Sequence, residues 1–177
     1  MQAVAALFVP AANANHLMTA VWSLHSEGID VVVGGSSAES LVPFRDVGCH
    51  CLTAISPADL LNQVWELRRL PVLAIGDGIS VPDNFLGRAL ALMGDDLRVA
   101  SVSFLSNDAG FLSFPLRNEP SIRPPDGHDA RSVTRLLRDL SPHDPPTPIP
   151  SAVGSVVLLA PSAVGAVGGF VPGPQAR

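Results

Sequence analysis

Apolar positions along the first hundred residues alternate between two periods. Val4–Val9 is a short continuous apolar run that stops at Pro10. His16–His25 then carries Leu17, Ala20, Val21 and Leu24 at helical spacing. Ile29–Val33 is β-branched throughout and is ended by Gly34-Gly35-Ser36-Ser37. Cys49–Ala54 reads as a weaker strand. Ser56-Pro57-Ala58-Asp59 reads as a helix start, with Ser56 as N-cap and proline in the first turn. Leu60, Leu61, Val64 and Leu67 form the apolar stripe of that helix. Pro71–Ile75 is a fourth strand, followed by Gly76-Asp77-Gly78. Val81-Pro82-Asp83 opens a helix carrying Phe85, Leu86, Ala89, Leu90 and Met93, and Arg98–Leu105 is a fifth strand.

Strands and helices alternating at this spacing predict βαβ units, hence an α/β fold with a mostly parallel, Rossmann-type sheet flanked by helices. Strands that are apolar at every position fit burial on both faces. In such sheets ligands bind beyond the carboxyl ends of the strands. Those ends fall at Pro10–Asn15, Gly34–Ser37, Gly76–Ile79 and Ser106–Gly110, and each is rich in small or polar residues.

The character changes near Pro115. Residues 1–114 read as the ligand-binding α/β half. Residues 115–150 hold most of the seventeen prolines and read as an excursion from the sheet. Within it, Ala130–Leu140 predicts one amphipathic helix with Val133, Leu136, Leu137 and Leu140 inward. Residues 151–177 return to the same domain, as a strand over Ser155–Ala160 and a short helix from Pro161-Ser162. Residues 151–171 carry no charge over 21 positions, long enough for a membrane helix. Pro161 and the glycines at 154, 165, 168 and 169 argue instead for a buried strand and helix, with no transmembrane span. Their apolar character, without a capping element, points to dimerisation or to low stability.

Length, composition and charge narrow the function. At 177 residues the chain fits one domain. Its 47 % hydrophobic content excludes disorder as a description of the whole. A net charge of −5 argues against a general nucleic-acid binder. All eleven basic residues are arginine, which removes Schiff-base and P-loop lysine chemistry. Cys49 and Cys51 flank His50 and resemble metal ligands, but a structural zinc site needs a second pair of ligands. The thiols read better as small hydrophobes in or beside a strand. A reducing cytoplasm is the expected compartment, and the N-terminus has no positively charged leader. The five histidines do not group with serine, cysteine or aspartate into a nucleophilic triad. Trp22 and Trp65 fall on helical faces and are expected in the core.

Three strand ends carry candidate chemistry, each beside a plainer reading. Gly34-Gly35-Ser36-Ser37 could cradle a phosphate with backbone N–H groups, or be a tight turn. Asp77, between two glycines, could meet a metal or phosphate, or cap the next helix. Ser106-Asn107-Asp108 could face a ligand, or form an Asx-turn.

Val72–Gly78, Val81-Pro82-Asp83-Asn84-Phe85-Leu86, Asp96-Leu97-Arg98-Val99-Ala100, Leu105–Gly110 and Leu112-Ser113-Phe114-Pro115 follow one another along the chain. Taken in that order, they resemble the family-2 glycosyltransferases of GT-A type that build bacterial surface polysaccharide. Further along, Pro150–Gly154 is similar to the family's Pro-x-x-Gly strand and Val164–Phe170 to its Val-Gly-Gly-Phe turn. Upstream, Val9-Pro10 with Asn13 is similar to the first-strand Val-Pro-x-x-Asn, and Asn62 to the asparagine of the donor-side helix. The likeness spans nearly the whole chain and is strongest over 72–115.

The resemblance implies a GT-A-like fold and inverting sugar transfer from a nucleotide-diphospho-sugar to the hydroxyl of a glycan or lipid-linked acceptor. It implies that Pro10, Asn13, Ser36, Asn62 and Asp77 line the nucleotide-sugar. Ser106, Asn107 and Asp108 would face the sugar or acceptor. Asp77 would hold Mg2+ or Mn2+ beside the diphosphate. A lipid-linked acceptor would bring the protein to a membrane surface. The sequence departs from the pattern in three places. Gly34-Gly35 stands where the family has an acid for the base. Asp77-Gly78-Ile79 keeps one carboxylate of Asp-x-Asp. The family's general base lies beyond the Val-Gly-Gly-Phe turn, and this chain ends seven residues after Phe170. The expectation is a chain inactive alone, its catalytic residue not assignable. Two alternatives are a degenerate, non-catalytic binding or scaffold module and a small Rossmann-like nucleotide-binding domain.

Overall fold

The structure, a computed structural model, describes residues 2–9, 14–76, 79–121, 124–140 and 146–171. Strands β1 (Val4–Val9), β2 (Asp30–Gly35), β3 (His50–Thr53), β4 (Val72–Ile75), β5 (Ser101–Ser103) and β6 (Val156–Leu159) form one sheet in the order β3-β2-β1-β4-β6-β5. The helices are α1 (Ala14–Ser26), α2 (Val42–Asp46), α3 (Pro57–Arg68), α4 (Leu86–Asp95), α5 (Ala130–Leu140) and α6 (Pro161–Val167). The fold is α/β with a mixed sheet: β1 to β4 are mutually parallel, and β6 runs antiparallel between β4 and β5.

Side chains alternate between the two faces of β1 and divide the core in two. Ala5, Leu7 and Val9 face one side with Leu17, Val21 and Leu24 of α1, Phe44 of α2, and Leu86, Ala89 and Met93 of α4. Val4 and Ala6 face the other side with Val32, Val72 and the α3 residues Leu60 and Val64. The predicted start of α3 is observed: the Ser56 hydroxyl accepts from Asp59 N–H at 3.1 Å, with Pro57 in the first turn.

Several expectations need correction. Gly34 and Gly35 do not end β2; they belong to it, paired with Phe8 and Val9 of β1. A side chain at either position would have to displace a neighbouring side chain. A Cβ on Gly34 would lie 2.6 Å from Leu60 Cδ1, and one on Gly35 would lie 2.8 Å from Ser40 Oγ. The fifth strand covers Ser101–Ser103 only. Arg98 sits in a turn, where its guanidinium grips Asp96 at 2.8 and 3.0 Å and draws that carboxyl down to about 2. A 3₁₀ turn at Glu39–Leu41 and helix α2 bridge β2 to β3, a stretch whose short length and Pro43 leave no periodic signal. Trp22 is 57 % exposed. Trp65 is half-buried under the Arg69 guanidinium, 4.0 Å above its ring. Leu67 is exposed.

Helix α5 forms where expected, with Val133 and Leu137 half-buried, but Leu136 and Leu140 are not turned inward. Leu136 and Leu140 are 43 % and 69 % exposed, and none of the described α5 side chains belongs to either core cluster. Its start is held locally: Asp129 Oδ1 accepts from Ser132 N–H at 2.7 Å, and Ser132 Oγ accepts from Asp129 N–H at 2.9 Å, a reciprocal cap.

Candidate functional site

Strands β1, β2 and β3 add on one side of the sheet, and β4 returns to the other side of β1. The chain order therefore reverses between β1 and β4, the place where open α/β sheets receive ligands. Because β6 is antiparallel, its beginning lies at this same edge, next to the carboxyl ends of β4 and β5. Gly76 N–H donates to Ser155 O at 2.7 Å and closes the edge there.

A cleft of about 420 Å3 opens at this edge, between α3 and the sheet. Ala6, Phe8, Ala74 and Val157 form its floor, Pro57, Leu60 and Leu61 its α3 wall, and Gly76, Gly154 and Ser155 its far side. Alanine at 6 and 74 explains the space, since larger residues on adjacent strands would fill it. The size and mainly apolar lining fall in the range of small-molecule sites.

Three further stretches converge beside the cleft. The first is the turn after α6. Asn62 donates from Nδ2 to Phe170 O at 3.0 Å and accepts from Phe170 N–H at Oδ1, at 2.8 Å. These partners lie 108 residues apart. Gly169 has φ +103°, and a Cβ on it would stand 2.7 Å from Asn62 Oδ1, so glycine is required on both counts. The second is the segment ahead of β6. Val153 N–H donates to Ser103 Oγ at 3.0 Å, and Gly154, at φ +91°, leaves room for Ala109, which a Cβ would approach to 3.2 Å.

The third is the loop 106–121, which follows β5. Ser106 N–H donates to Leu112 O, and Phe114 N–H to Ser106 O. Ser113 Oγ, buried, accepts from Ala109 N–H at 2.9 Å. Asn107 is held at both ends by Ser121: its Nδ2 donates to Ser121 O, and its O accepts from Ser121 N–H, each at 2.8 Å. The Ser106 hydroxyl accepts from Asp108 N–H at 3.4 Å. Asn107 and Asp108 are exposed.

Of the expected site residues, Ser36 is exposed just past the carboxyl end of β2, and Asn62 stands beside the cleft wall with its amide engaged by Phe170. Ser106, Asn107 and Asp108 share one loop next to Gly154. Pro10, Asn13 and Asp77 lie outside the described residues. In sequence they follow β1 and β4, the two strands that flank the reversal. Among the described residues no three His, Cys, Asp or Glu side chains form a metal-ion set. Cys49 belongs to the core cluster and Cys51 packs against it; burial is the main cause that pushes the Cys49 thiol up to about 11.

Ser155, Gly154 and the Asn62–Phe170 clamp were not singled out as a group by sequence. The resemblance holds Asn62, Gly154 and Phe170 in separate motifs, and glycine at 154, 168 and 169 within an otherwise apolar return is the further signal. No protein-family model matches the chain, and no curated protein matches it. No described helix is long and apolar enough to cross a membrane.

Proposed function

We propose that the protein is a glycosyltransferase-type domain that binds a nucleotide-diphospho-sugar at the carboxyl edge of its sheet, for transfer to an acceptor hydroxyl. One observation carries this reading. Two stretches that resemble the family's motifs, β4 with Gly76 and the segment ending at Gly154, line one cleft; Ala109 of the 106–110 loop packs at Gly154, and Asn62 holds the 168–170 turn to α3, whose Leu60 and Leu61 form the cleft wall. In this reading the fold is GT-A-like, and the reversal between β1 and β4 supports it.

The apolar cleft suits a flat, weakly polar ring, with the diphosphate outside it at the loops after β1 and β4. Pro10, Asn13 and Ser36 border the nucleotide there. Asp77 supplies one carboxylate to a Mg2+ or Mn2+ ion, whose remaining ligands are diphosphate oxygens and water. Such an ion neutralises charge on the leaving diphosphate. Ser106, Asn107 and Asp108 present hydroxyl, amide and carboxylate groups to the sugar or acceptor.

A second reading, a degenerate, non-catalytic binding or scaffold module, is favoured by one observation: the Asn62 amide, expected at the nucleotide-sugar, is taken up at both ends by the Phe170 peptide. The Rossmann-like alternative rested on a Gly34–Ser37 phosphate cradle, and Gly34 and Gly35 instead serve strand packing.

Titration calorimetry with UDP, GDP and dTDP, with and without Mn2+, tests the binding site. The expected result is binding by one nucleotide that needs the ion and is lost in Asp77→Ala. A folded chain that binds none of the three overturns the reading. The same result selects the module.

A further inference from the structure

The polarity of the cleft carries more information than its size. Ala6, Ala74 and Val157 stand side by side across its floor, since Ala6 pairs with Ala74 and Ala74 with Val157. Leu60 and Leu61 close one side. Among the described lining residues Ser155 alone carries a polar side-chain atom, and it is exposed at the carboxyl edge.

The main chain adds little to this. Ladder hydrogen bonds run between neighbouring strands, while side chains stand off the face. The backbone of Ala6 and Ala74 is held in such ladders on both sides. At the rim, Gly76 N–H is taken by Ser155 O at 2.7 Å. A ring that enters the cleft therefore meets apolar contact and almost no hydrogen-bond partner.

Nucleobases differ in how they meet such a lining. Guanine brings an amino group and an imidazole nitrogen beyond the polar edge of a pyrimidine, and each polar group buried without a partner weakens binding. Uracil has a shorter polar edge. Thymine has that same edge and adds a methyl group at C5. A buried methyl is worth about fourfold in affinity. Two adjacent alanines, on strands about 4.8 Å apart, lower the floor and leave room for it.

We propose, on the basis of the donor-site reading above, that the cleft selects thymine, so that the donor is a dTDP-linked sugar. Ala74, beside Ala6, is the specificity-determining residue: its small side chain admits the C5 methyl. The polar edge of the base then faces the mouth, where Ser155 and water meet it.

The test is titration calorimetry of the full chain with dTDP, dUDP and GDP in the presence of Mn2+. The first two differ only in the C5 methyl. The expected result is dTDP at least about fourfold tighter than dUDP, with GDP the weakest. 5-Bromo-dUDP, whose bromine is close to a methyl in size, should bind like dTDP. Ala74→Val fills the space while keeping a residue suited to a strand. It should weaken dTDP more than dUDP and erase the preference. Its circular dichroism should match the parent; the bromo analogue tests the same contact with no substitution in the chain. Binding of dUDP as tight as that of dTDP overturns the proposal and leaves the donor site standing. A preference that survives in folded Ala74→Val, or 5-bromo-dUDP binding like dUDP, overturns it as well. A folded parent that binds none of the nucleotides removes the donor-site reading, and the thymine preference with it.

Discussion

The two faces of the sheet are covered to different depths. On the α1, α2 and α4 face, Leu7, Leu17, Leu24 and Phe44 are all fully buried, and the layer is closed. On the α3 face, Leu60 and Val64 close the part over Val4 and Val32, but Ala6 and Ala74 leave the cleft open at the carboxyl edge. The closed face uses large residues from three helices. The open face uses one long helix and small residues, and is tied down by hydrogen bonds where packing is thin. A closed layer and an open cleft are thereby divided between opposite sides of the same strands.

Substitutions should separate the two. The largest effect is expected on the closed face. Phe44→Ala deletes a buried ring and should cost about 3–5 kcal/mol by urea denaturation; a loss below about 1 kcal/mol would show that this layer is not the stabilising one. On the open face, Asn62→Ala removes both bonds to the Phe170 peptide. It should cost about 1–3 kcal/mol and free the 168–170 turn to exchange its amide hydrogens. Unchanged exchange at Phe170 would contradict the clamp.

Cys49 gives a pH-dependent contrast. Burial raises its thiol from 9.0 to about 11, so the unfolded chain loses this proton first as pH rises. Its contribution is complete below pH 9 and is lost between pH 9 and pH 11. Stability curves of the parent and Cys49→Ala should converge across that interval; parallel curves would remove the thiol from the account. The smallest stability change is expected at Ala74→Leu, which fills the cleft without entering the closed layer. It should alter the unfolding midpoint little and abolish nucleotide binding. Full binding by this variant would move the ligand out of the cleft.

Much of the framework was legible before any coordinates. Val4–Val9 and Val72–Ile75 announce themselves as apolar runs too short for helices, and Ser56-Pro57 announces the start of α3 through its own cap chemistry. These are local effects, decided by the residues within one element. Trp22 shows the limit: helical periodicity marks a face, but its exposure depends on what lies opposite. Helix α5 shows it again, since its bounds followed from the pattern while the exposure of Leu136 and Leu140 depends on what lies opposite.

The sequence by itself determined where strands and helices alternate, that the sheet is largely parallel, and that its polar strand ends share one edge. Tertiary structure alone decided that β6 enters antiparallel, because a short apolar run carries no record of its direction. It also decided that Gly34 answers to Leu60, and that Asn62 meets Phe170 across 108 residues. Such pairings arise from contacts between elements, and neighbours along the chain do not encode them.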